Sequence, residues 1–204
     1  MASAGGPQWV IREDAGRGVL VALYLRQILG LRAPEELPPL RGVPFARTDR
    51  DEPTHAALED QWRAYWAMTV EPRAHRSAVP LDLVEGFDDL VALPVSGAEQ
   101  LRAAVAPYAA QAVAFSRTAH AAYTARDEGR QSGAAYRAYA GAIAEHERHV
   151  GRRAHSFELN VQILPLTQRG LWWIGALTIA VTDGLRRDVA AFDTAIHPVI
   201  AELA

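Results

Sequence analysis

The 204-residue chain contains no cysteine and no lysine, and only one asparagine, Asn160. Without cysteine there is no disulfide, no thiolate nucleophile and no Cys-ligated zinc or iron–sulfur cluster. All 21 basic residues are therefore arginine, a bias that we attribute to GC-rich coding rather than to function. Long apolar runs are also missing. The longest uncharged one, Leu171 to Val181, has eleven residues, whereas a membrane span needs about 18 or more. An excess of basic charge is absent too. The net charge is -3, which does not suit a protein held to nucleic acid by phosphate neutralisation. The opening MASAGGPQWVIRED has neither the basic nor the apolar region of a signal peptide. These absences lead us to expect a cytoplasmic protein with no nucleic-acid and no membrane partner.

Strong catalytic motifs are absent as well. There is no G-x-S-x-G elbow, no P-loop and no zinc-finger spacing. GRGVLV, Gly16 to Val21, opens a helix after a candidate strand. A dinucleotide fingerprint would place a third Gly or Ala where Val21 stands. No cofactor is expected.

Half of the residues are apolar and 22% are charged, enough to bury a core in one globular domain, 1–204. Residues 1–7 read as a mobile tail. Residues 31–54 and 71–95 carry five and three prolines and read as irregular segments.

Periodicity gives an α+β, helix-dominant fold. VLVALYLRQIL is apolar on nearly all sides, so a buried N-terminal helix is expected over about 14–29, with Asp14 as N-cap and Gly30 just past the end. A helix over 55–70 carries Leu58, Trp62, Tyr65, Trp66 and Val70 on one stripe. Ser96 and Glu99 read as a capping box opening a long helix, about 97–126, bent at Pro107. Its antiparallel partner, about 132–153, carries Tyr136, Tyr139, Ile143, His146 and Val150. FELNVQIL then alternates with period 2. LWWIGALTIAVT reads as its returning partner, giving a β-hairpin over about 156–182. A closing helix runs over about 184–203, kinked at Pro198.

Three groups of residues carry candidate function. AEHERHVGRRAH, Ala144 to His155, holds three of the seven histidines. His146 and His149 with Glu145 offer two or three ligands to a divalent metal. His155 falls about half a turn round the helix from His146, and HERH is one residue short of the HExxH pattern. No metal site is therefore expected, and the cluster reads first as a solvated face with His146 on the seam. The second group is Trp62 and Trp66 with Arg63. Aromatic residues anchor cores but also line pockets, and an arginine beside them can clamp a carboxylate or phosphate. The third is Trp172 with Ile174. The second strand is apolar on both faces, and a strand edge or uncovered face invites another chain.

Two function classes follow. The first is a non-catalytic binding or assembly protein, a homodimer joined by strand edges or by the Trp172 face. The alternative is a small-molecule-binding protein or enzyme with a pocket between helix 55–70 and the proline-rich segments, using the histidine cluster 146–155. No substrate, reaction or partner can be named from the residues.

Overall fold

A computed structural model describes residues 8–45, 51–128 and 133–204. The tail expected at 1–7 and the centre of the turn after residue 126 lie outside the described residues. In chain order the elements are β1 (Trp9–Asp14), α1 (Arg17–Ile28), α2 (Glu52–Val70), β2 (Leu81–Leu83), β3 (Ala92–Pro94) and α3 (Glu99–Val105). There follow a 3-10 turn at Ala106–Tyr108, α4 (Ala109–Glu128), α5 (Gly133–Val150), β4 (Phe157–Leu164), β5 (Leu171–Trp173), β6 (Thr178–Thr182), α6 (Asp183–Arg187) and α7 (Val189–Leu203). The fold is α+β with helix dominant.

Four strands form one mixed sheet in the order β1-β4-β6-β5. β1, β4 and β6 are parallel, with Ile11 opposite Leu159 and Val161 opposite Ile179. Only β5 runs antiparallel, on β6. β2 and β3 form a separate two-stranded antiparallel sheet within the second proline-rich segment.

The expected β-hairpin over 156–182 is corrected by this register. LWWIGALTIAVT is two strands, not one. The Ile174 and Gly175 N–H groups both donate to the Thr178 carbonyl, so the chain reverses there. The reversal slots β6 between β4 and β5. An interior strand with layers on both faces reads as a continuous apolar run, because neither face meets water. All five β6 residues are buried.

The expected helical hairpin 97–126 and 132–153 is also corrected. Pro107 does interrupt the first leg, in the 3-10 turn. The legs then part: α4 packs on α1, whereas α5 packs on α7. Each apolar stripe is satisfied by a different face of the sheet. α1 to α4 share one core with Leu164, Ile174 and Ala180. α5, α6 and α7 share the other with Phe157, Leu159, Val161, Ile163, Ile179 and Val181. Tyr139 and Ile143 of the predicted α5 stripe are buried, but Tyr136 and Val150 are exposed.

Local capping departs from expectation in three places. α1 starts after Gly16, not Asp14, whose carboxylate accepts from the Ala15 N–H at 2.7 Å. Gly30 does take the left-handed conformation past the end of α1, φ 67°, which a side chain would resist. Glu99 accepts from the Gly97 N–H, but Ser96 does not cap α3. The closing helix is two helices. Thr182 caps α6 and Asp188 caps α7, whose Ala191 N–H donates to the Asp188 carboxylate at 3.1 Å.

Candidate functional site

Ligands of open parallel sheets sit beyond the carboxyl ends of the strands, where successive connections leave on opposite faces. This sheet meets that condition. After β1 the chain turns into α1 on one face. After β6 it turns into α6 and α7 on the other. α4 crosses between the layers: Tyr123 packs against both cores, and His120 Nδ1 lies 2.9 Å from the Ala15 carbonyl at the end of β1.

A crevice of about 150 Å³ opens beneath this crossing. Ile163 and Pro165 from the end of β4 meet Ala119, Ala122 and Tyr123 of α4 around it. The remaining lining is charged: Glu13 from β1, Arg41 from the first proline-rich segment, and Asp183, Arg186 and Arg187 at the end of β6.

The charged side chains are held in place. Arg186 grips Glu13 through two bonds, Nε to Oε1 at 2.6 Å and Nη2 to Oε2 at 2.9 Å. The Tyr139 hydroxyl donates to the same Oε1 at 2.7 Å. The Arg186 guanidinium lies over the Phe192 ring, 4.8 Å from its centroid. A planar fork on a carboxylate and a flat face on an aromatic ring is an arrangement that lysine does not reproduce. Burial first, and the Glu13 carboxylate second, raise the pKa of Tyr139, so it stays a neutral donor. Arg41 is fixed by its backbone: its N–H donates to the Pro165 carbonyl at 2.8 Å. Its guanidinium then reaches Asp183 Oδ2 at 2.6 Å. Arg187 Nε donates to the Asp183 carbonyl at 3.1 Å.

None of these residues was a sequence candidate. One signal was available: RED ends β1 and DGLRR follows β6, so charge appears abruptly where each strand stops. That both ends are the same end of a parallel sheet is not visible in either segment.

The sequence candidates lie elsewhere. Trp62, Tyr65 and Trp66 are buried in the core of α1 to α4, and Trp62 Nε1 donates to the Ala33 carbonyl at 2.9 Å. Arg63 is exposed on α2, 3.9 Å from Asp60. Arg63 is thus exposed where the aromatic pair beside it is buried. Trp62 is fully buried and Trp66 nearly so. Ile174 is buried within the chain, and Trp172 leans on the same core with its ring against Gly170. Trp172 is half-buried, on the edge strand β5.

The histidine cluster lines a shallow groove of about 590 Å³ between α5 and α7. Glu145 Oε2 sits 2.9 Å from Nε2 of His197, a partner that comes from α7. His146 Nε2 is buried without a hydrogen-bond partner, while His149 is exposed. His155 is turned away to Arg152. Among the described residues no group of three or more such side chains is placed to hold a metal ion.

A larger trough, about 1290 Å³, lies over the polar side of β1 and β4. Its floor includes Arg12, Glu158, Asn160 and Gln162. The Arg12–Glu158 pair there is about half exposed, so water already satisfies its charges. No helix among the described residues is long and apolar enough to cross a membrane. No protein-family model, curated protein or solved structure matches the chain.

Proposed function

We propose that the protein binds a small molecule in the crevice at the carboxyl ends of β1, β4 and β6. One observation carries this reading: a partly enclosed apolar cavity is ringed by charged side chains that are themselves fixed by ion pairs. Such a combination of apolar walls and few oriented polar groups is what small-ligand sites share. The ion pairs hold the charged groups before any ligand arrives, which lowers the ordering cost of binding. The trough is larger but wetter, and its charges are less constrained.

Screening of a fragment library by saturation-transfer NMR tests the reading, with wild type compared against Ala122→Leu. Ala122 lines the crevice from α4 and is only partly buried, so leucine fills the cavity while remaining a good helix former. Hits that disappear in the variant support the proposal. An absence of hits, or hits indifferent to the variant, overturns it.

A second reading, self-association, is favoured by a different surface. In the β2–β3 sheet, Leu81 and Leu83 stand opposite Pro94 and Ala92. They are 49% and 56% exposed, and among the described residues β2 pairs with β3 alone. An exposed apolar strand with an open edge can pair with its own copy across a two-fold axis. On this reading the homodimer interface lies at β2 rather than at Trp172 and Ile174. Light scattering after size exclusion should give a dimer for wild type and a 22.2 kDa monomer for Leu83→Glu. A wild-type monomer sinks the idea.

A further inference from the structure

We infer that β2 pairs with β2 of a second copy about a two-fold axis at Asp82, so that the two β2–β3 sheets join into one four-stranded antiparallel sheet. This rests on the self-association proposed for the same edge. It adds the register of the pairing and the residue that limits its strength.

The register follows from which backbone groups are open. In an antiparallel pair, residues alternate between turning both backbone groups to the partner strand and turning both away. The Val84 N–H donates to the Val91 carbonyl at 2.9 Å, and the Val95 N–H to the Pro80 carbonyl at 3.0 Å. Asp82 lies midway between Pro80 and Val84, opposite Leu93, and therefore faces β3. Leu81 and Leu83 turn their N–H and C=O groups to the outer edge. Pro94 fits this alternation, since it stands across from Leu81 and has no N–H to offer.

The edge is closed beyond these two residues. Ser77 engages both backbone groups of Val79: its hydroxyl accepts from the Val79 N–H at 3.2 Å and donates to the Val79 carbonyl at 2.6 Å. Past Leu83 the chain turns, and the Phe87 N–H donates back to the Val84 carbonyl at 3.3 Å. An axis at Leu81 would need Val79, and one at Leu83 would need Glu85 in the turn. An axis at Asp82 uses only what is open. Leu81 exchanges two hydrogen bonds with the partner's Leu83, and Leu83 two with the partner's Leu81. The four leucines then meet on one face, where each is about half exposed in the single chain.

Charge commits the occupant to a second copy. Exposed Arg76 precedes β2, and exposed Glu85 and Asp89 follow it. Among the described residues these three make no ion pair. Their charged neighbours have partners within the chain: His75 lies 3.9 Å from Glu71, and Asp88 4.0 Å from Arg17. Antiparallel pairing lays the start of each β2 beside the end of the other. Arg76 of each copy is thus brought toward the acidic turn of its partner, and the two-fold axis makes this happen twice. Asp82 acts in the opposite sense. The axis sets it across from the partner's Asp82, and like charges directly opposite are destabilising.

Sedimentation velocity of the full chain over a concentration series, with amide exchange followed by NMR, tests the register. Asp82→Asn should tighten the dimer about threefold, because a like-charge pair is removed. Arg76→Glu should weaken it about threefold. Both positions are exposed, so the variants keep the fold. An equimolar mixture of wild type and Asp82→Lys should form the mixed dimer more tightly than either forms its own. As the dimer fills, exchange of the Leu81 and Leu83 amides should slow more than that of Asp82, which is already bonded to β3. A dimer that Leu83→Glu breaks, but to which Asp82→Asn and the mixture are indifferent, keeps the β2 interface and overturns the register. Slowing at Asp82 without slowing at the two leucines overturns it as well. A dimer that survives Leu83→Glu, or a wild type that stays monomeric throughout, overturns self-association through β2 and this inference with it.

Discussion

Arg12 and Glu13 are neighbours in β1, and each holds an ion pair, yet the two pairs differ in kind. Strand geometry sends their side chains to opposite faces of the sheet. Arg12 reaches Glu158 across the open trough at 2.8 Å, and the two side chains are 51% and 45% exposed. Glu13 reaches Arg186 inside the crevice at 2.6 Å, and these are 13% and 16% exposed. The distances are similar, so distance does not separate the pairs. Solvent does. In the trough, water screens the attraction and offers each charge an alternative partner. In the crevice, each charge was taken out of water and depends on the other. The lesson is that fixed chemistry in this chain lies where the strands end beneath α4, not where the polar side chains are most numerous.

The largest expected effect breaks the buried pair. Arg186→Met should leave Glu13 with a single hydrogen bond, from Tyr139, and cost about 3 kcal/mol. For a chain of this size that lowers Tm by roughly 6–12 °C, read by calorimetry. Glu13→Leu together with Arg186→Met should recover part of the loss, because no charge is then left uncompensated. A double variant less stable than Arg186→Met alone contradicts the account.

The second expected effect compares the sealed and open surroundings of alanine. Ala180 in β6 is fully buried, between strands on both sides, and Ala180→Leu should overpack it at a cost of about 2 kcal/mol. Ala122→Leu, into the crevice, should leave stability within about 0.5 kcal/mol of wild type. Equal losses at the two sites would mean that the crevice is closed in solution.

A smaller effect tests a third pair, on the outer side of the sealed layer. His197 Nδ1 lies 2.6 Å from the Asp193 carbonyl, and Nε2 2.9 Å from Glu145. Only the protonated ring donates from both nitrogens. The Asp193 carbonyl contributes most to raising the pKa of His197; burial opposes it, and Glu145 adds to the rise. A raised value means that the stabilisation is fully present below the unfolded value of about 6.5 and is lost as pH rises through the folded value. His197→Gln should therefore lower Tm more at about pH 5.5 than at about pH 8.5. A gap that widens with pH has the wrong sign and refutes it.

The smallest effect belongs to the exposed pair. Arg12→Met should not shift Tm measurably, because its partner Glu158 is already solvated. Its carboxyl, held below the usual range by the Arg12 hydrogen bond, should titrate closer to an ordinary glutamate in the variant. A Tm loss approaching that of Arg186→Met would erase the contrast between the two faces of β1.

Much of the architecture is legible in local pattern. The alternation of FELNVQIL predicts β4, and its Phe157, Leu159, Val161 and Ile163 face one core together. The all-round apolar character of VLVALYLRQIL predicts the buried α1. Pro107 and Gly30 mark interruptions where a missing donor and a left-handed backbone demand them. The candidate site was not legible. Trp62 and Trp66 drew attention through size and rarity, properties that serve a core as well as a pocket. Glu13, Arg41 and Arg186 are ordinary charged residues, separated by up to 173 positions where they meet.

Covalent connectivity and side-chain period determined by themselves where strands and helices form and which residues seek water, because those preferences act over a few neighbouring residues. The same run of residues cannot say which strand lies beside which. An apolar run such as TIAVT suits an antiparallel return or a parallel interior strand equally well, since both bury it. Only the tertiary structure decided that β6 inserts beside β4 in parallel, and with it that α4 and α5 part to opposite faces. That choice depends on burying all the apolar stripes at once, and it brings the charged ends of β1 and β6 together under α4.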